Sequence, residues 1–185
     1  QGRGHIGNVL DYLDRIGVVD RQYSPEFLTA VAEQMPEINV HVRDRWGHYA
    51  GHAMTALISP MAGLAISKGD MHPMDLSLRD LRHSDQEFVV FAMTMHANYR
   101  GVAMKLLRHY FRWLRRFRQA HGDCDYLAYI QGTQVDSFYR QYGFELLHRP
   151  SPPVEFETRM FAPSLAQADL GKVIGLIFAG VDDAA

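Results

Sequence analysis

The stretch 88–107, FVVFAMTMHANYRGVAMKLL, most narrows what this chain can fold into. Residues 88–95 are apolar and β-prone, the pattern of a buried strand. Residues 96–101, HANYRG, read as a turn, and a helical pattern runs from Val102 to about Ala120. A strand that passes abruptly into a helix leaves backbone N–H groups free at the helix start, with the positive end of the helix dipole behind them. Such a corner holds phosphate groups, and Arg100 and Lys105 add positive charge beside it. An ordinary corner with no ligand has the same sequence pattern, so both readings stand on this stretch alone.

The helix that follows is amphipathic. Met104, Leu107, Tyr110, Phe111, Leu114 and Phe117 line one face. Lys105, Arg108, Arg112, Arg115, Arg116 and Gln119 line the other at i, i+3, i+4 spacing, and Gly122 ends the helix. The basic stripe 105–116 is either a solvated face or a surface for an acidic partner. Trp113 lies beside it, which gives no base-stacking platform. A net charge of −2 also argues against nucleic acid as a wholesale partner.

Before this stretch, 8–16 has helical spacing. Ser24-Pro25-Glu26 is a helix start, with a serine cap, a proline in the first turn and an acid beside it. That helix closes at Pro36. Residues 38–43 alternate with period two, 44–47 turn, and 49–59 form a longer strand, so the pair reads as a hairpin. Residues 60–73, rich in Gly, Met and Pro, give no clear pattern, and 75–81 fit a strand or a turn of helix. After the long helix, 126–130 is a short buried strand and 134–142 a helix ended by Gly143. Residues 144–148 and 155–161 are strands, and 164–178 is a last helix. The order is that of an α/β (α+β) layered domain.

A length of 185 residues fits one domain, divided into N-terminal helices (1–36), a core sheet with two helices (37–163) and a C-terminal helix and tail (164–185). The first residue is not Met, which fits a piece of a longer chain. The one cysteine, Cys124, permits no internal disulfide, and the expectation is a reducing, cytoplasmic compartment. No apolar run is long enough for a membrane span, and the N-terminus lacks the apolar core of a signal peptide. The ten histidines show no paired spacing with a nearby acid, so no metal is expected.

Two motifs at a fitting separation carry a resemblance. MHANYRG resembles the V-x-P-x-Y-R-G signature of the GNAT superfamily of N-acyltransferases, with Tyr99, Arg100 and Gly101 matching and Met95 and Ala97 in the Val and Pro places. SFYRQYGFELL resembles the second signature of that family, through Phe138, Tyr139, Gly143 and Phe144. The resemblance is good over about 87–147. It implies a GNAT-like fold, a mixed central sheet whose fourth and fifth strands splay apart between flanking helices.

The same resemblance implies an acyl-CoA co-substrate, most simply acetyl-CoA, lying in that gap. Its pantetheine arm would pair near Met93 and Met95. Its pyrophosphate would rest on the amides of Gly101, Val102, Ala103, Met104 and Lys105, beside Arg100. An amine acceptor, on a small molecule or a protein, would attack the thioester directly, with Tyr139 as general acid to the leaving thiolate. Glu87, His96 and His52 are the candidate bases. The pyrophosphate loop departs from the family pattern at Ala103 and Lys105, and Gly132 stands where the family often has Asn. Two alternatives therefore stay open: a catalytically impaired binding module, and an acyltransferase whose acyl carrier protein docks on the basic helix.

Overall fold

The computed structural model describes residues 23–131, 144, 146–148 and 158–161. Its elements are α1 (Pro25–Gln34), β1 (Val40–Arg43), β2 (Tyr49–Ile58), α2 (Pro60–Lys68), β3 (Val89–Ala97), α3 (Arg100–His121), β4 (Tyr126–Gln131), β5 (Leu146–His148) and β6 (Thr158–Phe161). Two single turns of 3₁₀ helix, Pro73–Asp75 and Leu78–Asp80, lie between α2 and β3. The expected helices at 8–16, 134–142 and 164–178 lie outside the described residues.

One six-stranded sheet runs in the order β1-β2-β3-β4-β6-β5. All neighbours are antiparallel except β3 and β4, which are parallel. A parallel pair needs a long crossover, and α3 supplies it. This is the mixed, layered α/β arrangement that the GNAT resemblance implies.

Local chemistry explains the helix starts. Ser24 Oγ accepts from the Phe27 N–H at 3.1 Å, with Pro25 in the first turn. The same device opens α2, where Ser59 Oγ accepts from the Ala62 N–H at 3.1 Å and Pro60 follows. Gly69, at φ 79°, closes α2 in the left-handed conformation. The segment 60–68, unassigned from its composition, is thus a helix. Residues 75–81 hold tight turns, not a strand.

Each sheet face carries its own core. On one side α3 buries Tyr110, Phe111, Trp113, Leu114 and Phe117 against Leu57, Val90, Tyr126 and Ala128. The Tyr110 O–H donates to Tyr126 Oη at 2.8 Å within it. Trp113 is buried, and its indole N–H donates to Glu37 Oε1 at 3.2 Å. Leu106 is buried too, while Met104 and Leu107 are only partly covered. The helix therefore buries a wider face than its spacing implied. On the other side α1 and α2 cover Met54, Ala56, Ile58, Val89, Phe91, Met93 and Leu127.

β1 pairs with β2 from Ala53 to Tyr49, so the β2 edge beyond Ala53 needs other partners. Asn39 Oδ1 accepts from the Thr55 N–H at 2.7 Å, and its Nδ2 donates to the Val31 carbonyl at 2.6 Å. Gln34 Oε1 accepts from the Leu57 N–H at 3.3 Å, and its Nε2 donates to the Arg82 carbonyl. Replacing Asn39 with Ala strands a buried donor and a buried acceptor, each worth about 1–3 kcal/mol. Asn39→Ala is expected to lower unfolding free energy by about 2–4 kcal/mol, read from the urea midpoint of the full chain.

Candidate active site

β3 and β4 are paired only at Val90↔Tyr126, Phe91↔Leu127 and Ala92↔Ala128. Both strands continue, β3 to Ala97 and β4 to Gln131, without pairing with each other. From Ala128 onward β4 pairs with β6, and β3 stays on β2. The sheet therefore opens into a gap between the C-terminal halves of β3 and β4.

A bulge sits where they part. In the β2–β3 register Met54 faces Thr94 and Thr55 faces Ala92, so Met93 is the extra residue. Bulges bend and twist a strand, and they recur beside sites. This one has a second effect. Phe91 and Met93 pack on the α1/α2 side, and strict alternation would send Thr94 and His96 to the α3 side. The extra residue instead brings Thr94 opposite Met54, which belongs to the α1/α2-side core, and His96 opposite His52.

Three histidines consequently form a cross-strand row, His41↔His52↔His96, from β1 to β3. His52 is fully buried. Its Nδ1 pairs with the Tyr49 hydroxyl, and its Nε2 lies 3.2 Å from Thr94 Oγ1. The Tyr49 ring stacks on His96 with centroids 6.4 Å apart, and His96 is 6.2 Å from His52. His96 Nε2 meets Asn98 Oδ1 at 2.9 Å, while Asn98 Nδ2 donates to the Tyr49 carbonyl at 3.1 Å. Desolvation, then the charge of Arg43, holds the His41 imidazole below its usual pKa.

At the far end of the opened half, β3 turns into α3 in two residues, Asn98 and Tyr99. The strand is longer and the turn shorter than expected, and the helix starts at Arg100, two residues early. This shift changes which amides are free. The Val102 and Ala103 N–H groups both donate to the Tyr99 carbonyl at 3.0 Å. The N–H groups of Arg100 and Gly101 have no partner among the described residues. Of the amides expected from Gly101 to Lys105, those of Val102 and Ala103 are thus engaged, while that of Gly101, with that of Arg100 before it, has no described partner. No acid stands in the first turn to offset the helix dipole. Arg100, Gly101 and Lys105 are exposed, and the space above Gly101 is open.

The strand–helix corner is held tightly. A Cβ on Gly51 would stand 2.5 Å from the His96 carbonyl oxygen and 3.0 Å from Val102 Cγ1. Only glycine lets the first turn of α3 sit this close to β2.

The sequence-derived residues separate into three groups. Met93, Met95, His96, Arg100, Gly101, Val102, Ala103, Met104 and Lys105 all lie on the opened half of β3 or the first turns of α3. Met93 is buried and Met95 exposed. Glu87 is not brought to them. It precedes β3 and lines an open depression of about 390 Å³ with Gln86, Phe88, His121, Asp123, Cys124 and Asp125. That is six residues from Met93, about 20 Å along an extended strand. Burial, with Asp123 and Asp125 beside it, pushes the Cys124 thiol up to about 11, unsuited to a nucleophile. Tyr139 and Gly132 lie outside the described residues.

Thr94, Tyr49, Asn98 and Gly51 were not singled out from sequence. Their positions follow from the bulge and the close helix, neither of which leaves a sequence pattern. Among the described residues no group of three or more His, Cys, Asp or Glu could hold a metal, and no helix is long and apolar enough to cross a membrane.

No family model matches the sequence, and no curated protein matches it. Several solved structures are similar to the chain. Naa50 of Arabidopsis thaliana, in complex with the bisubstrate analogue CoA-Ac-MVNAL, has 13% identity and a TM-score of 0.49, over 86% of this chain and 93% of that one. Naa20 of Chaetomium thermophilum, in complex with a bisubstrate analogue, has 12% identity and a TM-score of 0.48, over 80% and 76%. The NatC complex bound to Gag peptide and CoA has 14% identity and a TM-score of 0.48, over 79% and 82%.

Gly51→Ala forces the His96 carbonyl or the start of α3 to move. Overpacking of this kind costs about 1–3 kcal/mol, and the expected outcome is that loss in urea-monitored stability of the full chain.

Proposed function

We propose that this chain is an N-acyltransferase that moves an acyl group, most simply acetyl, from acyl-CoA to an amine by direct attack. One observation carries the reading: the edge of β3 beyond Ala92, which no described strand covers, leads directly to the Arg100 and Gly101 amides, which have no partner among the described residues. An extended pantetheine arm has amide groups that such an edge satisfies. A diphosphate suits the helix start to which that edge runs. The two signatures found in the sequence support the same assignment independently.

In this reading the arm pairs with the β3 edge near Met93 and Met95, and the thioester lies where the strands part. The pyrophosphate rests on the Arg100 and Gly101 N–H groups, with the Arg100 and Lys105 side chains adding charge. Val102, Ala103 and Met104 shape the first turn beneath it. Tyr139 protonates the departing thiolate. The distance of Glu87 from the gap supports a base on the histidine row, His96 or His52, instead.

A second reading is favoured by the exposed cations of α3. Lys105, Arg112, Arg115 and Arg116 all face solvent, a surface suited to an acidic acyl carrier protein bringing the acyl group in place of free CoA.

Calorimetric titration with acetyl-CoA tests the first reading. Arg100→Ala is expected to weaken binding about 10-fold or more, the worth of a charge-assisted hydrogen bond. Absence of binding to the unaltered chain at millimolar acetyl-CoA excludes free CoA as donor. Tyr139→Phe is expected to leave binding in place and lower turnover by about 10²–10⁴. Unchanged turnover removes the Tyr139 hydroxyl from the chemistry.

A further inference from the structure

Proton removal is the unassigned half of this chemistry, because an amine attacks a thioester only once its ammonium has lost a proton. From the arrangement around the bulge we infer that the Thr94 hydroxyl receives the acceptor ammonium and relays its proton to His52, with Tyr49 holding the imidazole in place. The inference rests on the acyl-transfer reading and names the proton path within it.

Thr94 is the second residue of β3 past its last pairing with β4, next to the bulge residue. It is half-buried, and its side chain is turned to the α1/α2 face, where it meets His52 Nε2 at 3.2 Å. It thus stands at the mouth of the gap, on the opposite face from α3.

The distinguishing feature of His52 is what meets its two ring nitrogens among the described residues. Each meets a hydroxyl, Tyr49 on Nδ1 and Thr94 on Nε2. A hydroxyl can donate or accept. The neutral ring can therefore accept from one hydroxyl and donate to the other, and the protonated ring can donate to both. A buried imidazole so placed changes charge without stranding a polar group, the usual cost of a buried titration. Two other histidines lack this freedom. His72 Nδ1 accepts from the Met74 backbone N–H, which can only donate. His109 Nε2 meets the Glu37 backbone carbonyl, which can only accept.

The step balances. Before attack, the Thr94 O–H donates to an unprotonated His52 Nε2, and His52 Nδ1–H donates to Tyr49 Oη. The ammonium N–H bond breaks as its proton passes to Thr94 Oγ1, and the Thr94 proton moves to His52 Nε2. The freed nitrogen lone pair forms the C–N bond to the thioester carbonyl carbon. The carbonyl oxygen takes up the C=O electron pair and returns it as the C–S bond breaks. The thiolate takes the proton of the Tyr139 hydroxyl, and the nitrogen gives its second proton to the resulting phenolate as the amide forms. The proton on His52 Nε2 leaves through Thr94 to solvent. Thr94 is the residue that touches the reacting amine; His52 and Tyr49 are positioning residues acting through it.

The test uses the full chain, acetyl-CoA as donor and a library of short peptides with free N-terminal and lysine amines as acceptor probe. Thr94→Val keeps the shape of the side chain and removes the hydroxyl. It is expected to lower kcat about 100-fold with the acetyl-CoA dissociation constant unchanged, and Thr94→Ser is expected to restore most of the rate. His52→Gln is expected to cause a similar loss. The double variant Thr94→Val, His52→Gln is expected to be little worse than either single, since members of one relay are not additive. A Thr94→Val enzyme within threefold of the unaltered rate, or losses that multiply in the double variant, overturns the relay while leaving acyl transfer standing. An unaltered chain that binds acetyl-CoA but turns over no amine overturns the acyl-transfer reading and the relay with it.

Discussion

Among the described residues β3 has a hydrogen-bonded neighbour on each side along its first half and on only one side along its second. Unpaired main-chain groups inside a sheet are costly unless something satisfies them. A strand that stops pairing while its neighbour continues alongside it is therefore a demand for a partner. The bulge at Met93 creates this demand locally. There β3 stays paired with β2, its register shifted by one residue, while β4 leaves for β6. Paired along their full length, β3 and β4 would form an ordinary parallel sheet with no gap and no exposed edge.

The second requirement is that the end of this edge be held still. α3 is fixed to the sheet through buried aromatic contacts, the Tyr110–Tyr126 hydrogen bond and two attachments to Glu37, from Trp113 and His109. The absence of a side chain at Gly51 brings the first turn of the helix down onto β2. The dipole of a helix acts at its first turn and falls off quickly. These contacts fix that first turn relative to the strand edge. Arg112, Arg115 and Arg116 farther along α3 face solvent, and their charge acts at longer range.

Much of this architecture is legible in the residues. Ser24-Pro25-Glu26 marks α1, the period-two runs mark β1 and β2, and the apolar run into a helix marks β3 and α3. The Ser59-Pro60 start of α2 is the same signal as at Ser24-Pro25, closed by Gly69. It was hidden by a composition of Met, Ala and Gly that lacks a clear polar face. The helix start at Arg100 was missed because Arg100 and Gly101 precede the first residue of the apolar stripe. The bulge is the deeper omission. Periodicity assumes one residue against one, so it places Thr94 and His96 on the wrong face and gives no reason to join Thr94 with His52. A one-residue slip reverses every side chain beyond it, and whether it occurs is decided by β2 and β4, not within β3.

The treatment of the β2 edge bears on how the molecule behaves among its own copies. An edge with a run of free N–H and C=O groups is a template for strands from other chains. Beyond Ala53 the outer edge of β2 has lost β1, yet Asn39 and Gln34 take the Thr55 and Leu57 amides. The turn segment finishes the closure, with the Arg82 N–H on the Leu57 carbonyl at 2.9 Å and the Ser59 N–H on the Asp80 carbonyl at 2.7 Å. Side-chain amides end a ladder where a strand would extend it. That stretch of β2 is thereby closed to growth, even though β1 no longer covers it.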